Sequence, residues 1–351
     1  MQVNQIDIHQ KRDAQKWRAF LEKQGISGFA PQEIDAVEQT FVWKDSSRNI
    51  VATGSIAGNI LKYVAIDPNY QENGAMFNQV ISYLVNQAAI QKKFHLFVFT
   101  KPKYIKSFEY VGFKLLAKVD TGAVLENGVP NVSTYVSDLP HVKNQEKQKI
   151  AAIVANANPF TKGHRYLIEK ASQENDWVYV FVVSQNVSLF TFDERFELVK
   201  QGTADLKNVI VVPGKEYMVS YATFPAYFLK DDQDVGRYQA KLDATLFKNK
   251  IAKPLNITAR YLGSEPFSKT TDVYNEELSK VLPPEIKVKI IKRALNQDQQ
   301  IITATKVRHA ILTDQLAVIQ TLVPSTTFDF IQKNWSELKQ RAKERKNEYG
   351  N

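Results

Sequence analysis

Cysteine is missing from all 351 residues, which removes disulfide frameworks, thiolate metal sites and a thiol nucleophile together. Any thioester made here would take its sulfur from a partner. Histidine is scarce: His9, His95, His141, His164 and His309 include no His-x-x-x-His pair, which argues against a zinc enzyme and leaves only an ion held by phosphates. No apolar run reaches about 18 residues, and Met1-Gln-Val-Asn-Gln5 lacks the basic-then-apolar start of a signal peptide. The expectation is a cytoplasmic protein without membrane contact.

What is present fits a globular chain, with 44% hydrophobic and 24% charged residues. Its length exceeds one ordinary core and implies two domains. A net charge of +9 favours acidic ligands or partners. Much of that charge lies in residues 339–349, which read as a solvated helix end, so no nucleic-acid partner is expected.

The chain is organised around Ile150-Ala-Ala-Ile-Val-Ala-Asn-Ala-Asn-Pro-Phe-Thr-Lys-Gly-His164. Apolar residues end on a small polar turn, and a helical pattern follows at once, as where a parallel strand feeds a helix. Asn156 and Asn158 can bond local backbone, Pro159 fixes a dihedral, and Gly163 opens space beside the main chain. The first helical N–H groups then face outward with the positive dipole end behind them, ready for phosphate. Thr161 and His164 fall on one face of that turn. Downstream, Ile302-Thr-Ala-Thr-Lys-Val-Arg308 repeats the arrangement: strand 286–291, a connection, then Thr303 or Thr305 as cap and Lys306 and Arg308 in the first turn.

Thr161-Lys-Gly-His164 resembles the (His/Thr)-x-Gly-His signature of the nucleotidyltransferase superfamily. Residues 302–308 resemble its second signature, Ile-Ser-Ser-Thr-x-x-Arg, with Thr303 and Ala304 in place of the two serines. The resemblance implies cleavage of ATP between the α- and β-phosphates. His164 and Thr161 would act at the α-phosphoryl group, with Arg308, Lys306 and Thr305 on the departing pyrophosphate, and Mg²⁺ bound through the phosphates.

The first half is β-rich. Residues 10–24 read as a helix with Trp17, Phe20 and Leu21 on one face, residues 36–43 and 50–57 as a hairpin, and 60–66 as a third strand. A helix to about residue 91, strand 96–100, helix 104–111 and strand 113–117 follow. This order resembles the GNAT acetyltransferase fold, an α+β domain whose Gln/Arg-x-x-Gly-x-Gly/Ala loop binds the coenzyme A pyrophosphate. Gln71 and Gly74 match that loop, while Met76 stands where a small residue is expected and would obstruct phosphate. The departure argues against independent acetyltransferase activity.

Residues 140–149 read as a polar linker between a domain at 1–139 and one at 150–351. In the latter, strands 150–154, 177–184, 208–212, 258–262 and 286–291 alternate with helices 192–204, 236–250 and 270–281. That alternation predicts a doubly wound parallel sheet, Rossmann-like in the HUP nucleotidyltransferase sense, with its ligand at the strand carboxyl ends. Ser184 and Gly263 fall at those ends. Phe160 belongs to the first turn, and Arg195 opens a helix and is a candidate to neutralise phosphate or pair within that helix. Lys215 and Lys230 are further candidate cations.

Taken together, the two halves resemble the citrate lyase ligase family, through residues 156–167, 202–206, 222–230, 263–267 and 303–308. The resemblance implies an AMP-forming acid–thiol ligase. Acetate and ATP give acetyl-adenylate, and the acetyl group passes to the coenzyme A-like prosthetic thiol of the citrate lyase acyl carrier protein, activating the lyase. Two other readings stay open: an adenylyltransferase acting on phosphopantetheine or a mononucleotide, and a non-catalytic dock for a coenzyme A arm. A tRNA synthetase is disfavoured, because residues 302–308 lack the double-lysine loop.

Overall fold

The computed structural model describes residues 1–351 except 72–73, 187, 219–223, 230–233, 265–268, 295–300 and 349–351; the side chains of 269–270 and 345–348 are also left out. The chain forms two compact units, Met1–Ser137 with Ala222–Lys250, and Asp138–Tyr221 with Ile251–Asn351. Among the described residues no helix is long and apolar enough to cross a membrane.

The first unit opens with β1 (Gln2–Ile6), α1 (Lys11–Lys23) and α2 (Pro31–Asp35). It continues with β2 (Gln39–Lys44), β3 (Ile50–Ala57), β4 (Ile60–Ile66), α3 (Ala75–Ile90), β5 (His95–Thr100), α4 (Ile105–Tyr110), β6 (Lys114–Lys118), β7 (Ala123–Gly128) and α5 (Val132–Ser137). The sheet order is β1-β2-β3-β4-β5-β7-β6. The β2–β3 hairpin turns where Asp45 Oδ1 accepts from the Asn49 N–H at 2.8 Å, an Asx-type closure. Helix α3 lies close on β3 because Gly54 leaves the room; a Cβ there would sit 2.5 Å from Leu84 Cδ1.

One relationship in this sheet positions a cavity. β4 and β5 are parallel and pair only at Ile60↔Phe97 and Leu61↔Val98. Beyond Leu61 the strands diverge, and Val64, Ile66, Phe99 and Thr100 line a cavity of about 180 Å³ together with Gln71 and Gly74.

The second unit contains β8 (Ile150–Ala155), α6 (Lys162–Glu174), β9 (Trp177–Val182), α7 (Phe192–Gly202) and β10 (Val209–Pro213). The chain then contributes α8 (Val235–Leu246) to the first unit before β11 (Ile257–Gly263), α9 (Lys269–Val281) and β12 (Lys287–Ile291). Four helices close the chain: α10 (Ala304–Leu312), α11 (Leu316–Leu322), α12 (Ser325–Lys333) and α13 (Trp335–Glu348). The sheet is wholly parallel, in order β10-β9-β8-β11-β12. It is the doubly wound arrangement that the alternating sequence implies, and β8 and β9 read as near-continuous apolar runs, as strands covered by helices on both faces do. The order reverses between β8 and β11, where ligands of such sheets bind.

Two organisational expectations need correction. Residues 236–250, read as a crossover helix of the parallel sheet, belong to the first unit. There α8 packs on β6, and Tyr238 occupies the space beside Gly122, where a Cβ would lie 2.5 Å from its ring. Residues 140–149 are pinned to the second unit: Tyr179 Oη donates to the Pro140 carbonyl at 2.5 Å, Asn256 Nδ2 to the Gln145 carbonyl at 2.6 Å, and Gln145 Nε2 to the Pro254 carbonyl at 2.9 Å.

Candidate functional site

Thr161 caps α6 with extended backbone, and its side chain and that of His164 form a reciprocal capping box. Thr161 Oγ1 accepts from the His164 N–H at 3.4 Å and lies 2.8 Å from His164 Nδ1, which also accepts from the Thr161 N–H at 3.1 Å. A backbone N–H can only donate, so Nδ1 carries no proton and Nε2 does. Burial, aided by the positive charge of Arg293, lowers the His164 pKa to about 4. His164 is thus a neutral Nε2–H donor at physiological pH. Thr161 is itself buried and acts by holding that ring. By helix geometry the Lys162 and Gly163 N–H groups have no partner within α6.

The second signature arrives beside the first. Thr303 caps α10 through Oγ1, which accepts from the Lys306 N–H at 3.2 Å, so Thr303 and not Thr305 is the cap. Arg308 reaches back: Nη1 donates to the Asn158 carbonyl at 2.7 Å, and Nη2 to Thr305 Oγ1 at 3.1 Å. Burial lowers the Arg308 pKa, though it stays a cation. Ile302 lies against Gly163, where a Cβ would meet the Ile302 carbonyl at 3.4 Å, an ordinary contact. The side chains of Thr305 and Lys306 are exposed. Lys162, between Thr161 and Gly163, turns away and caps α11, donating to the Gln320 and Thr321 carbonyls at 3.2 and 3.0 Å.

A cavity of about 330 Å³ opens at the switch point, bounded by the ends of β8, β11 and β12 and the first turn of α6. That volume lies within the range of small-molecule sites. His164 and Gly163 line it, Gly263 forms part of its wall with open space where a Cβ would stand, and Asn275 donates from Nδ2 to the Gly263 carbonyl at 3.2 Å. Two cations in the lining, Lys292 and Arg293, were missed in the sequence. The available signal was their place directly after the last strand, at a carboxyl end.

Several expected ligand residues have other work. Arg195 is fully buried. Its Nε donates to the Phe190 carbonyl at 3.1 Å, Nη1 to the Asn156 carbonyl and Oδ1 and to the Val183 carbonyl, and Nη2 to the Gln185 carbonyl. It joins the ends of β8 and β9 to α7, and burial lowers its pKa to about 10. Asn156, besides holding Arg195, donates from Nδ2 to Ser188 Oγ at 3.2 Å, and Asn158 Oδ1 accepts from the Phe190 N–H at 3.1 Å. Phe160 is a core residue packed against Gly202 and 6.0 Å from the His164 ring, so it backs the histidine from behind. Ser184 Oγ accepts from the Lys215 N–H at 2.8 Å. Lys230 lies outside the described residues.

In the first unit Gln71 and Gly74 line the cavity between the diverging strands. Gln71 Nε2 donates to the Ile66 carbonyl at 2.8 Å, and Gly74 caps α3 at φ +68°, a conformation glycine adopts without strain. Met76 is buried in the core, so it does not obstruct the loop as expected. Tyr227 and Phe228, from the segment 222–230, line the same cavity.

These two helix starts belong to a wider pattern of similarity. Residues 150–331 match the citrate lyase ligase C-terminal domain. The chain is 33% identical over 350 residues to the [citrate [pro-3S]-lyase] ligase of Escherichia coli K12, covering 97% of both chains. It is 37% identical over 306 residues to that of Haemophilus influenzae, covering 85% of this chain and 90% of the relative. For the Klebsiella pneumoniae ligase the identity is 36% over 290 residues, covering 81% and 84%. The chain belongs to the citrate lyase ligase family.

Proposed function

We propose that the protein activates citrate lyase by ATP-dependent acetylation, joining acetate to AMP and passing the acetyl group to a coenzyme A-like thiol on the lyase acyl carrier protein. The observation that carries this reading is the Arg308–Asn158 bond. Ile302, which lines the switch-point cavity, lies against Gly163, so the two contacts support a site shared by the starts of α6 and α10.

The nucleotide's base and ribose suit the cavity's apolar walls, with the phosphates toward the N-termini of α6 and α10. An acetate oxygen attacks the α-phosphorus, the bond to the β-phosphate bridging oxygen breaks, and pyrophosphate departs. His164 Nε2–H donates to the α-phosphoryl oxygens as their charge grows, while Arg308 and Lys306 hold the leaving group. Thr161, Thr303 and Asn158 position these donors. Among the described residues no cluster of three metal-ligating side chains occurs, so Mg²⁺ would be carried chiefly by phosphate oxygens and water. The carrier thiolate then attacks the acetyl carbonyl and AMP leaves. The sulfur must come from the carrier, since this chain has no cysteine. The cavity beside Gln71 and Gly74 is proposed to receive the prosthetic arm.

The test is incubation with ATP, acetate and deacetylated citrate lyase, following AMP and lyase activity. Equimolar AMP and restored lyase support the reading. Dinucleotide or dephospho-coenzyme A formation without acetate dependence would replace it with plain adenylyl transfer.

A further inference from the structure

We propose that the first unit carries an anion-binding site of its own, a cleft on α1 that takes a small organic molecule through its carboxylate or phosphate group, with Arg18 as the residue that grips it. The adenylation reading uses no residue of this cleft, and the two stand independently. A cavity of about 560 Å³ lies between α1 and residues of the segment from Phe29 to Asp35, with Ile8 and His9 from the turn after β1 at its edge. All of these residues belong to the first unit, and the volume is within the range of small-molecule sites.

Along α1 the lining residues Lys11, Gln15 and Arg18 are spaced four and three apart, so they stack on one face of the helix. Arg18 is the unusual one. Its Nε is buried without a hydrogen-bond partner, and its guanidinium makes no hydrogen bond or ion pair among the described residues. What it does meet is a ring: Cζ lies 5.3 Å from the centroid of Phe29, a cation–π contact that satisfies none of its N–H groups. That ring is itself held, stacked on Tyr63 at 6.1 Å and tilted against Trp17 at 5.8 Å.

Buried donors are nearly always paired, and an exception calls for a reason. An oxyanion seated in the cleft supplies one, because a guanidinium carries its donors in a planar fork that fits carboxylate or phosphate oxygens two at a time. The charge agrees. Lys11 and Arg18 stand against a single carboxylate in the lining, that of Asp35, which leaves a positive balance for an anion. Ile8, Phe29 and Ile34 supply apolar wall, so the ligand carries an apolar body behind its charged group.

The experiment measures calorimetric binding of benzoate, phenyl phosphate and neutral benzamide to the full-length wild type, Arg18→Gln and Arg18→Lys, with a thermal melt of each protein. At least one of the two anions binds wild type saturably, and the tighter of them tells whether the natural ligand carries a carboxylate or a phosphate. Loss of a charge-assisted hydrogen bond predicts that Arg18→Gln weakens that anion about tenfold or more, and benzamide binds wild type weaker by a similar factor. Arg18→Lys recovers part of the loss, since it restores the charge without the fork. Arg18→Gln melts close to wild type, because the empty protein pairs nothing with this guanidinium. No saturable binding of either anion by wild type, benzamide bound as tightly as the anions, or anion binding unchanged in Arg18→Gln would overturn the assignment.

Discussion

Arg308 Nη1 donates to the Asn158 carbonyl at 2.7 Å across 150 positions of sequence. The bond joins the loop after the first strand of the parallel sheet to the first turns of α10. A single guanidinium thereby ties the turn before α6 to α10.

Arg308→Lys keeps a positive charge but gives up the simultaneous reach to Asn158 and to Thr305 Oγ1. Burial already disfavours the charged form at this position, and lysine loses its proton more readily than arginine under the same desolvation. ATP–pyrophosphate exchange should fall by about 10²–10³, the usual cost of losing one preorganised donor to developing charge. Exchange kinetics near those of wild type would show that Arg308 only braces the loop.

His164 gives a prediction in pH. Its folded pKa of about 4 lies below the ordinary 6.5, so folding favours the neutral ring. The associated stability is fully present above pH 6.5 and is lost as pH falls toward 4, because the unfolded chain binds the proton first. The depression is equivalent to roughly 3 kcal/mol. Urea unfolding between these pH values should show this slope in wild type and lose it in His164→Asn. Exchange activity should carry no acid limb at the ordinary histidine pKa, and His164→Asn should lower it by about 10²–10³ throughout.

How much of this was legible follows from what each residue's neighbours do to its pattern. β3 and β4 could be read at their observed bounds, since each is an apolar run broken by turn residues. β1 is Gln-Val-Asn-Gln-Ile, an edge strand with too little apolar surface to announce itself. β7 hides because Glu126 sits buried within it, 2.9 Å from His95 Nε2 and accepting from the Val132 N–H. α8 was legible as a helix, but periodicity reports an apolar face and not the sheet that covers it. At the site, Thr161, His164 and Arg308 were legible because helix starts have local chemistry. The bonds of Arg195 to backbone carbonyls were not legible, because no side-chain pattern reveals such acceptors.

Two glycines should respond oppositely to alanine. At Gly163 a Cβ meets nothing nearer than 3.4 Å, and alanine is favoured over glycine within a helix by about 1 kcal/mol. Gly163→Ala should melt at or above the wild-type temperature while its KM for ATP rises, as the main chain becomes less accessible to the ligand. At Gly202 the new Cβ would stand 2.4 Å from Phe160 Cε1, and such overpacking costs about 1–3 kcal/mol. Gly202→Ala should melt lower and also lose kcat, since displacing Phe160 disturbs the ring behind His164. Thermal melts paired with steady-state kinetics check both, and a destabilised Gly163→Ala would contradict the packing described.

Arg195→Met separates support from ligand contact. The guanidinium is held by carbonyls of Asn156, Val183, Gln185 and Phe190 and by Asn156 Oδ1, and methionine fills part of the volume while satisfying none of them. Each buried acceptor left without a partner costs about 1–3 kcal/mol. Relaxation will recover some, so a net loss of roughly 3 kcal/mol or more is expected, lowering the melting temperature by roughly 6–12 °C for a unit of this size. Arg195→Lys should rescue little, because one ammonium group cannot span acceptors on three segments. Well below the melting temperature, the KM for ATP should change less than in Arg308→Lys. Melting like wild type with loss of ATP affinity in Arg195→Met, and rescue by Arg195→Lys, would instead return Arg195 to the phosphates.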